Sequence, residues 1–161
     1  MKLTKLPLVA ALSLLVLSSN AWAQSTKRLI DEVNPFIGTS NFGTTNPGAV
    51  VPNGLMSITP FNVSGSPELN KFDKDKRWWS TPYTADNKFF SGFSHVNLSG
   101  VGCPELGSII VSASAGDLDV DYTHYGSAMS EEKAHPGYYS VQLDKHKIKA
   151  EVTATQRTAV S

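Results

Sequence analysis

The chain has 161 residues, and its 14 lysines and arginines are balanced by 14 aspartates and glutamates, so its formal net charge is zero. This length is enough for one domain with its own core. The charge balance argues against nucleic acid or an anionic membrane as a partner. The single cysteine, Cys103, excludes an intramolecular disulfide, so packing must hold the domain together.

Residues 1–23 are typical of a cleavable secretion signal. Lys2 and Lys5 give a positive head, residues 6–17 form an apolar stretch, and a small-x-small pattern ends at Ala23, where cleavage is predicted. An apolar run of about 12 residues is shorter than the ~20 that a membrane-spanning helix needs. We therefore expect no membrane span, and export to the periplasm or the extracellular space.

The exported part, residues 24–161, is predicted to be all-β. Glycine and proline punctuate its first half, where residues 55–59 are a strand candidate, and residues 108–112 are another. No segment shows convincing helical periodicity. The fold class that follows is a β-sandwich.

Two neighbouring strands are predicted near the C-terminal end. Tyr139, Val141 and Leu143 alternate with polar residues, and residues 148–155 alternate in the same way. Side chains along a strand point to opposite faces in turn, so each segment is a strand with one buried face. The polar residues 144–147 are expected to join the two strands as a hairpin.

Two short motifs in the first two thirds of the chain have weak predictive value. The segment Gly92-Phe93-Ser94-His95-Val96 resembles the nucleophile elbow of serine hydrolases but lacks its second glycine, and no strand-to-helix context is visible. Asn62-Val63-Ser64 and Asn97-Leu98-Ser99 fit the N-glycosylation pattern, which matters only in a eukaryotic secretory pathway.

Three aspartates, Asp117, Asp119 and Asp121, have the spacing that opens a calcium loop. The glycine and the glutamate that such a loop requires at its sixth and twelfth positions are missing. A strand that carries the three aspartates on its exposed face is therefore the preferred interpretation.

Loops that combine aromatic, hydroxyl and amide side chains with glycine recur along the chain. Sugars present apolar C–H faces and a rim of hydroxyls, so such loops suit a sugar-binding surface. Burial of the phenylalanines in the core, with the tryptophans covering a sandwich edge, is the alternative that composition alone slightly favours.

Six segments, in order along the chain, resemble the N-terminal β-sandwich domain of glycoside hydrolase family 92. The members of this family are exported bacterial exo-α-mannosidases. The segments are NPFIGT (34–39), NPGAVVPNGL (46–55), RWWSTPY (77–83), GFSHVNLSGVGCPELGSIIV (92–111), HPGYYSVQL (135–143) and EVTATQR (151–157). The resemblance implies a galactose-mutarotase-like supersandwich, incomplete at its C-terminal end. Ser40-Asn41-Phe42-Gly43 departs from the His-containing loop of many members, and Asn53 stands where phenylalanine is common.

The resemblance also implies how the activity is divided. Family members continue into an α-helical toroid domain that supplies the general acid, the general base and most calcium ligands, so no catalytic carboxylate and no bound metal are expected in this chain. Thr39, Ser40, Asn41 and Phe42 would border the terminal mannose of a mannose-containing glycan. Trp79 would stack near the neighbouring sugar, and Ser94 and His95 would shape the pocket wall.

Two functions from different classes remain open at this point. In the first, the chain is the N-terminal portion of a calcium-dependent, inverting exo-α-mannosidase. In the second, it is a free-standing sugar-binding module or the product of a decayed gene. Residues 156–161 follow the last predicted strand with no closing element, and an uncovered edge strand is a pairing liability. The sequence therefore looks truncated, which favours the first function.

Overall fold

A computed structural model describes residues 28–41, 43–64, 81–97 and 109–160. Its eight strands are β1 (Ile58–Phe61), β2 (Phe89–Phe90), β3 (Gly92–His95), β4 (Ile110–Val111), β5 (Ser127–His135), β6 (Tyr138–Leu143), β7 (Ile148–Ala154) and β8 (Ala159–Val160). Two short 3₁₀ helices, Leu29–Glu32 and Tyr122–His124, are the helical elements of these ranges. The all-β prediction is confirmed for the described residues.

The chain divides into two units after Asp31, and the second unit, Glu32–Ser161, contains both sheets. In the first unit, Arg28 Nη2 lies 3.0 Å from Asp31 Oδ1. The predicted signal segment, 1–23, lies outside the described residues. Within the described ranges, no helix has the length and apolar character that crossing a bilayer requires.

The smaller sheet has three antiparallel strands in the order β1-β3-β4. The strand predicted at 55–59 lies further along the chain, because a turn closed by Gly54 N donating to Val51 O precedes it and Leu55 is exposed. Of the strand predicted at 108–112, Ile110–Val111 are paired.

The larger sheet has five antiparallel strands in the order β2-β5-β6-β7-β8. The predicted hairpin is confirmed, with Tyr139 opposite Val152 and Leu143 opposite Ile148. The short strand β8, which no sequence pattern indicates, pairs with the end of β7. The last strand that was predicted is therefore not the last strand of the sheet.

The buried faces of the two sheets share one core, as a sandwich requires. Its members are Ala49, Ile58, Tyr83, Phe90, Phe93, Met129, Tyr139, Val141, Leu143, Val152 and Ala154. Aromatic rings connect the sheets edge to face: the ring centroids of Phe90 and Phe93 are 4.8 Å apart, and those of Phe93 and Tyr139 are 6.1 Å apart. For these phenylalanines, burial in the core is the correct interpretation.

A β-bulge interrupts β5. Ser130 lies opposite Gln142 but Lys133 lies opposite Ser140, so β5 has one extra residue between these pairs. Glu131 has a positive φ of 50°, and the buried face of β5 changes phase at this point, from Met129 to Glu132. A bulge of this kind re-aims a side chain, and here it turns the side chain of Glu132 toward the interior.

Candidate functional site

The segment 34–41 forms a compact turn that presents two of the predicted site residues to solvent. The Asn34 side chain accepts a hydrogen bond from Phe36 N at 3.0 Å, and Thr39 Oγ1 donates to Phe36 O at 2.8 Å. Thr39 is buried, whereas Ser40 and Asn41 are exposed. Phe42 lies outside the described residues. The structure thus places Ser40 and Asn41 where a ligand can reach them, and Thr39 beneath them.

A second loop, residues 81–87, is held by one buried amide. The Asn62 side chain donates to Thr84 O at 2.7 Å and to Asn87 O at 2.6 Å, and its Oδ1 accepts from Thr84 N at 2.8 Å. The side chain of Asn87 returns a bond to Asn62 O at 2.6 Å. Backbone groups of a loop need such partners when they are buried, so Asn62 fixes the path of this loop.

The two loops are joined, and we call residues 39–41 and 81–87 the loop pair. Ala85 N donates to Thr39 O at 2.8 Å, and Asn41 N donates to Asp86 Oδ2 at 3.1 Å. The exposed rim of the loop pair therefore combines a hydroxyl, an amide and a carboxylate, which are the groups that bind sugar hydroxyls. Trp79, the predicted stacking residue, lies outside the described residues, two positions before the second loop.

A carboxylate inside the sandwich supports the second loop. Glu132 Oε2 accepts hydrogen bonds from the hydroxyls of Tyr83 at 2.7 Å and Tyr139 at 2.9 Å, and Glu132 Oε1 lies 2.5 Å from Lys88 Nζ. Burial, followed by the negative charge of Glu132, raises the pKa of both tyrosines above the ordinary value. Both phenols therefore stay protonated and act as donors.

The structural roles of Glu132 and Asn62 were not predicted from the sequence. Nothing in the residue pattern marks the bulge that turns Glu132 inward. Asn62 was visible only as part of a glycosylation pattern, but it is fully buried and its amide is engaged. The second such residue, Asn97, uses its amide nitrogen to donate to Ser94 Oγ at 2.8 Å. Neither amide is free for a glycan in this fold.

Ser94 lies in the interior of the smaller sheet. It is completely buried in the middle of β3, and its hydroxyl lies 3.3 Å from Thr59 O, to which it donates. A nucleophile elbow needs a serine exposed on a sharp turn between a strand and a helix. This geometry excludes the nucleophile role. Whether Ser94 shapes a pocket wall stays a prediction.

His95 is half-buried at the end of β3, where its Nδ1 lies 3.4 Å from Ile109 O. The next residue, Val96, has a φ of 57°, which is a strained conformation for a β-branched residue, and Val96 N donates to Ser57 O at 3.0 Å. Ser94 and His95 thus bond to β1, to Asn97 and to the chain near β4. Thr39 and Asn41 bond to the second loop instead.

The three aspartates do not form the exposed strand that was predicted for them. They lie in an irregular segment before the 3₁₀ helix Tyr122–His124. Asp119 accepts hydrogen bonds from Asp121 N at 2.9 Å and His124 Nδ1 at 2.7 Å, and these bonds lower the pKa of Asp119. The side chain of Asp121 caps the helix by accepting from Thr123 N at 2.9 Å. Local bonds rather than a strand ladder thus satisfy the carboxylates of Asp119 and Asp121.

The same local bonds leave these carboxylates unsuited to a calcium ion. A calcium loop requires its aspartate oxygens to converge on one point, together with a bidentate glutamate. Here the oxygens of Asp119 and Asp121 point at backbone amides and at a histidine. Among the described residues, no group of three or more potential ligands is arranged to hold a metal ion.

The outer border of the smaller sheet is apolar. Val96, Ile109, Ile110 and Val111 are between 43% and 67% exposed, and we call these four residues the apolar strip. Isolated exposed aliphatic residues are ordinary, but three consecutive ones at the edge strand β4, residues 109–111, are less common.

Comparison with known families and structures gives the same architecture. Residues 32–161 match the sequence profile described as the glycosyl hydrolase family 92 N-terminal domain. The match covers most of the chain and includes the loop pair, both sheets and Glu132. The chain therefore belongs to glycosyl hydrolase family 92, and the part present is the N-terminal domain.

Individual relatives agree with this membership. An Arthroderma benhamiae protein described as an uncharacterized secreted glycosidase is 28% identical over 158 residues, which is 92% of this chain and 19% of that protein. The family GH92 α-mannosidase BT3965 from Bacteroides thetaiotaomicron is 30% identical with a TM-score of 0.66, covering 83% of this chain and 18% of that chain. The structure of the same enzyme in complex with mannoimidazole is 32% identical with a TM-score of 0.67, covering 83% of this chain and 17% of that chain. The chain spans less than a fifth of the length of these relatives.

Proposed function

We propose that this chain is the N-terminal part of an exported exo-α-mannosidase, and that it contributes the loop pair to a pocket for mannose-containing glycans. The observation that carries the proposal is the family match over residues 32–161, supported by the likeness to a solved α-mannosidase at 30% identity. Export rests on the signal predicted at residues 1–23 and on the description of one relative as secreted.

The loop pair is suited to bind a sugar because its polar rim is preorganised. Asn41 is anchored through its backbone to Asp86, so its side chain remains available, and the neighbouring Ser40 hydroxyl is exposed. Sites that hold their polar groups in place before binding lose less entropy when the ligand arrives. We assign the terminal mannose to this rim, with Trp79 stacking on the adjacent sugar.

The catalytic carboxylates are assigned to a further domain. Inverting hydrolysis uses a general acid and a general base about 6.5–9.5 Å apart. Of the acidic residues in the described ranges, Glu132 alone is not exposed, and tyrosine and lysine donors occupy both of its oxygens. We propose that the helical domain of longer family members supplies the acid, the base and the calcium site, and that this chain positions the sugar.

The proposal is tested by comparing this chain with a longer protein that carries it at the N-terminus of a family-length enzyme. Mannose release from an α-mannoside is measured with calcium and with a chelator, and NMR identifies the anomer formed first. We expect calcium-dependent release of the inverted anomer by the longer protein and no release by this chain. Calcium-dependent release of mannose by this chain alone would contradict the division of labour. Mannose binding without hydrolysis by the longer protein would instead indicate a sugar-binding module.

A matched pair of variants tests the contribution of the loop pair. Asn41→Gly and Asn53→Gly each remove an exposed amide at a residue with positive φ, 52° and 57° respectively, so the backbone change is the same. In the longer protein, we expect Asn41→Gly to raise KM about tenfold, as the loss of one ligand hydrogen bond commonly does. Asn53→Gly should leave KM unchanged.

A further inference from the structure

The bulge in β5 introduces a carboxylate into the sandwich core. Without the extra residue between Ser130 and Lys133, strand alternation would continue unbroken from Met129. The phase change instead aims Glu132 inward, and its side chain is only 8% exposed. A charged group is seldom placed in a core unless donors surround it, so this position requires an explanation.

The donors that surround Glu132 come from two different parts of the domain. Tyr139 belongs to β6, the strand next to β5, and its bond to Glu132 stays within one sheet. Tyr83 lies in the second loop, and Lys88 directly follows that loop. The carboxylate therefore connects the five-stranded sheet to both ends of the segment 83–88.

From this segment, the hydrogen bonds continue to the predicted sugar-facing residues. Thr84, next to Tyr83, is held on both sides of its backbone by Asn62. Ala85 and Asp86 then bind Thr39 O and Asn41 N, respectively. Every step from Glu132 to Asn41 is a hydrogen bond or a covalent neighbour, so a continuous chain of bonds links the carboxylate to the exposed rim.

We propose that Glu132 is the positioning residue of the loop pair: its carboxylate fixes Tyr83 and Lys88 to the sheet and so sets the placement of Ser40 and Asn41. As a statement about sugar positioning, the inference rests on the proposed function. Its structural part, the coupling of Glu132 to the loop pair, does not. A residue that served only the packing of the core would stabilise the five-stranded sheet at least as much as the loop pair.

Hydrogen–deuterium exchange on the full chain tests the coupling. The reporters in the loop pair are the amides of Asn41, Thr84 and Ala85, and those in the sheet are the amides of β6 and β7. In Glu132→Leu we expect the loop-pair amides to exchange about tenfold faster, because hydrogen bonds to a charged group commonly contribute at least that factor. The sheet amides should change much less. Glu132→Gln keeps an acceptor oxygen and should restore most of the protection.

Two controls separate the effect of the hydrogen bonds at Glu132 from the effect of removing a negative charge from β5. Glu131→Gln removes the same charge from the exposed neighbour on the bulge and should leave the exchange of the loop pair unchanged. Tyr83→Phe and Tyr139→Phe each remove one donor to the same oxygen, Glu132 Oε2. We expect faster exchange in the loop pair for Tyr83→Phe alone, since Tyr139 has no part in the loop. This pair of variants decides the question if Glu132→Leu does not fold.

Equal acceleration in the sheet and the loop pair would overturn the inference, and so would a loop pair that is unaffected by Tyr83→Phe. Because no sugar enters this experiment, its result is independent of the activity assay. Selective loosening of the loop pair, in a domain whose longer form hydrolyses no mannoside, would support the coupling of Glu132 to the loop pair and contradict the proposed function. Normal hydrolysis by the longer protein, with loop-pair exchange that the Glu132 and Tyr83 variants leave unchanged, would support the proposed function and contradict the coupling.

Discussion

At the scale of single residues, Asn62 shows how much depends on one buried amide. Replacing it by alanine leaves an amide and two carbonyl groups of the second loop without their partners. We expect Asn62→Ala to lower the free energy of unfolding by about 3 kcal/mol, since each unsatisfied buried group costs roughly 1–3 kcal/mol. Urea denaturation monitored by fluorescence measures the change.

The matched control for Asn62→Ala is Ser64→Ala. It abolishes the same glycosylation pattern without touching the amide, and the structure uses Ser64 through its backbone oxygen, which accepts from Ser91 Oγ at 2.6 Å. Ser64→Ala should therefore be close to neutral. If the two variants were equally destabilised, the loss would not come from the amide network.

The buried tyrosines predict how stability depends on pH. In the folded chain, burial and the Glu132 charge raise the pKa of Tyr83 and Tyr139 above the value of about 10 expected in the unfolded chain. The folded state therefore holds both protons where the unfolded state releases them. This contribution is fully present below pH ~10 and is lost as the pH rises above it, by about 1.4 kcal/mol per pH unit for each tyrosine.

Urea denaturation at several pH values between 9 and 11 checks this alkaline loss of stability. Wild type should show the full slope, and Tyr139→Phe about half of it. The variant that combines Tyr83→Phe with Tyr139→Phe should show least dependence on pH. Absorbance near 295 nm should report tyrosinate from these two residues only when the chain unfolds. Their ionisation in the folded chain near pH 10 would contradict the prediction.

At the scale of the elements, the turn between β5 and β6 is locked to its surroundings. Gly137 has a φ of 79°, its amide donates to Val50 O at 2.8 Å, and its oxygen accepts from Ala154 N at 2.9 Å. A Cβ at this position would lie 2.9 Å from Val51 Cγ1 and 3.1 Å from Ala154 O. Gly137→Ala should therefore cost the backbone strain of about 1–2 kcal/mol and a steric term in addition.

Gly116 supplies the reference for this turn. Its φ is 92°, and a Cβ there would meet nothing within 4 Å, so Gly116→Ala measures the strain without the contact. We expect thermal denaturation to show a clearly larger fall in Tm for Gly137→Ala. Equal falls in Tm would mean that Val51 and Ala154 move away from the new methyl group without loss of stability.

The β6–β7 hairpin was predictable because local signals coincide there. The segments that contain Tyr139 and Val152 each alternate between apolar and polar residues, and a polar turn separates them. Local signals fail at β3, where Gly92, Phe93 and Ser94 are all buried and no alternation remains. The bulge is likewise invisible, because the single extra residue of β5 is defined only by its partner strand.

The candidate site also has a part that the sequence predicts and a part that it does not. The order of the loop segments along the chain follows from the family resemblance, and so does the prediction that residues 39–42 border the sugar. Of these, Ser40 and Asn41 are exposed and Thr39 is buried. The residues that hold the loops do not follow from the resemblance, because Asn62 and Glu132 act across 22 to 49 positions of sequence. Contacts of that separation arise only from tertiary packing, which residue spacing does not encode.

At the scale of the whole molecule, the apolar strip predicts that this chain binds a hydrophobic dye. Ile109→Thr combined with Val111→Thr should reduce the fluorescence of a bound dye substantially, because it removes apolar groups from a continuous exposed edge. The control combines Leu118→Thr with Val120→Thr, which changes two aliphatic residues that are 85% and 78% exposed outside the strip. A wild-type chain that melts cooperatively and binds no dye would contradict the prediction.

The side of β5 opposite β6 is mostly unpaired among the described strands, and unlike the apolar strip it is charged. On this side, β2 pairs only with Ser127 and Ala128, and among the described strands none pairs with the rest of β5 there. A long, flat, unpaired strand is a template to which another chain can add. The bulge at Glu131 bends this border, and the exposed side chains of Glu131 and Lys133 charge it. A bent and charged border is a poor template, so the one extra residue disfavours the addition of a strand from another chain on this side of β5.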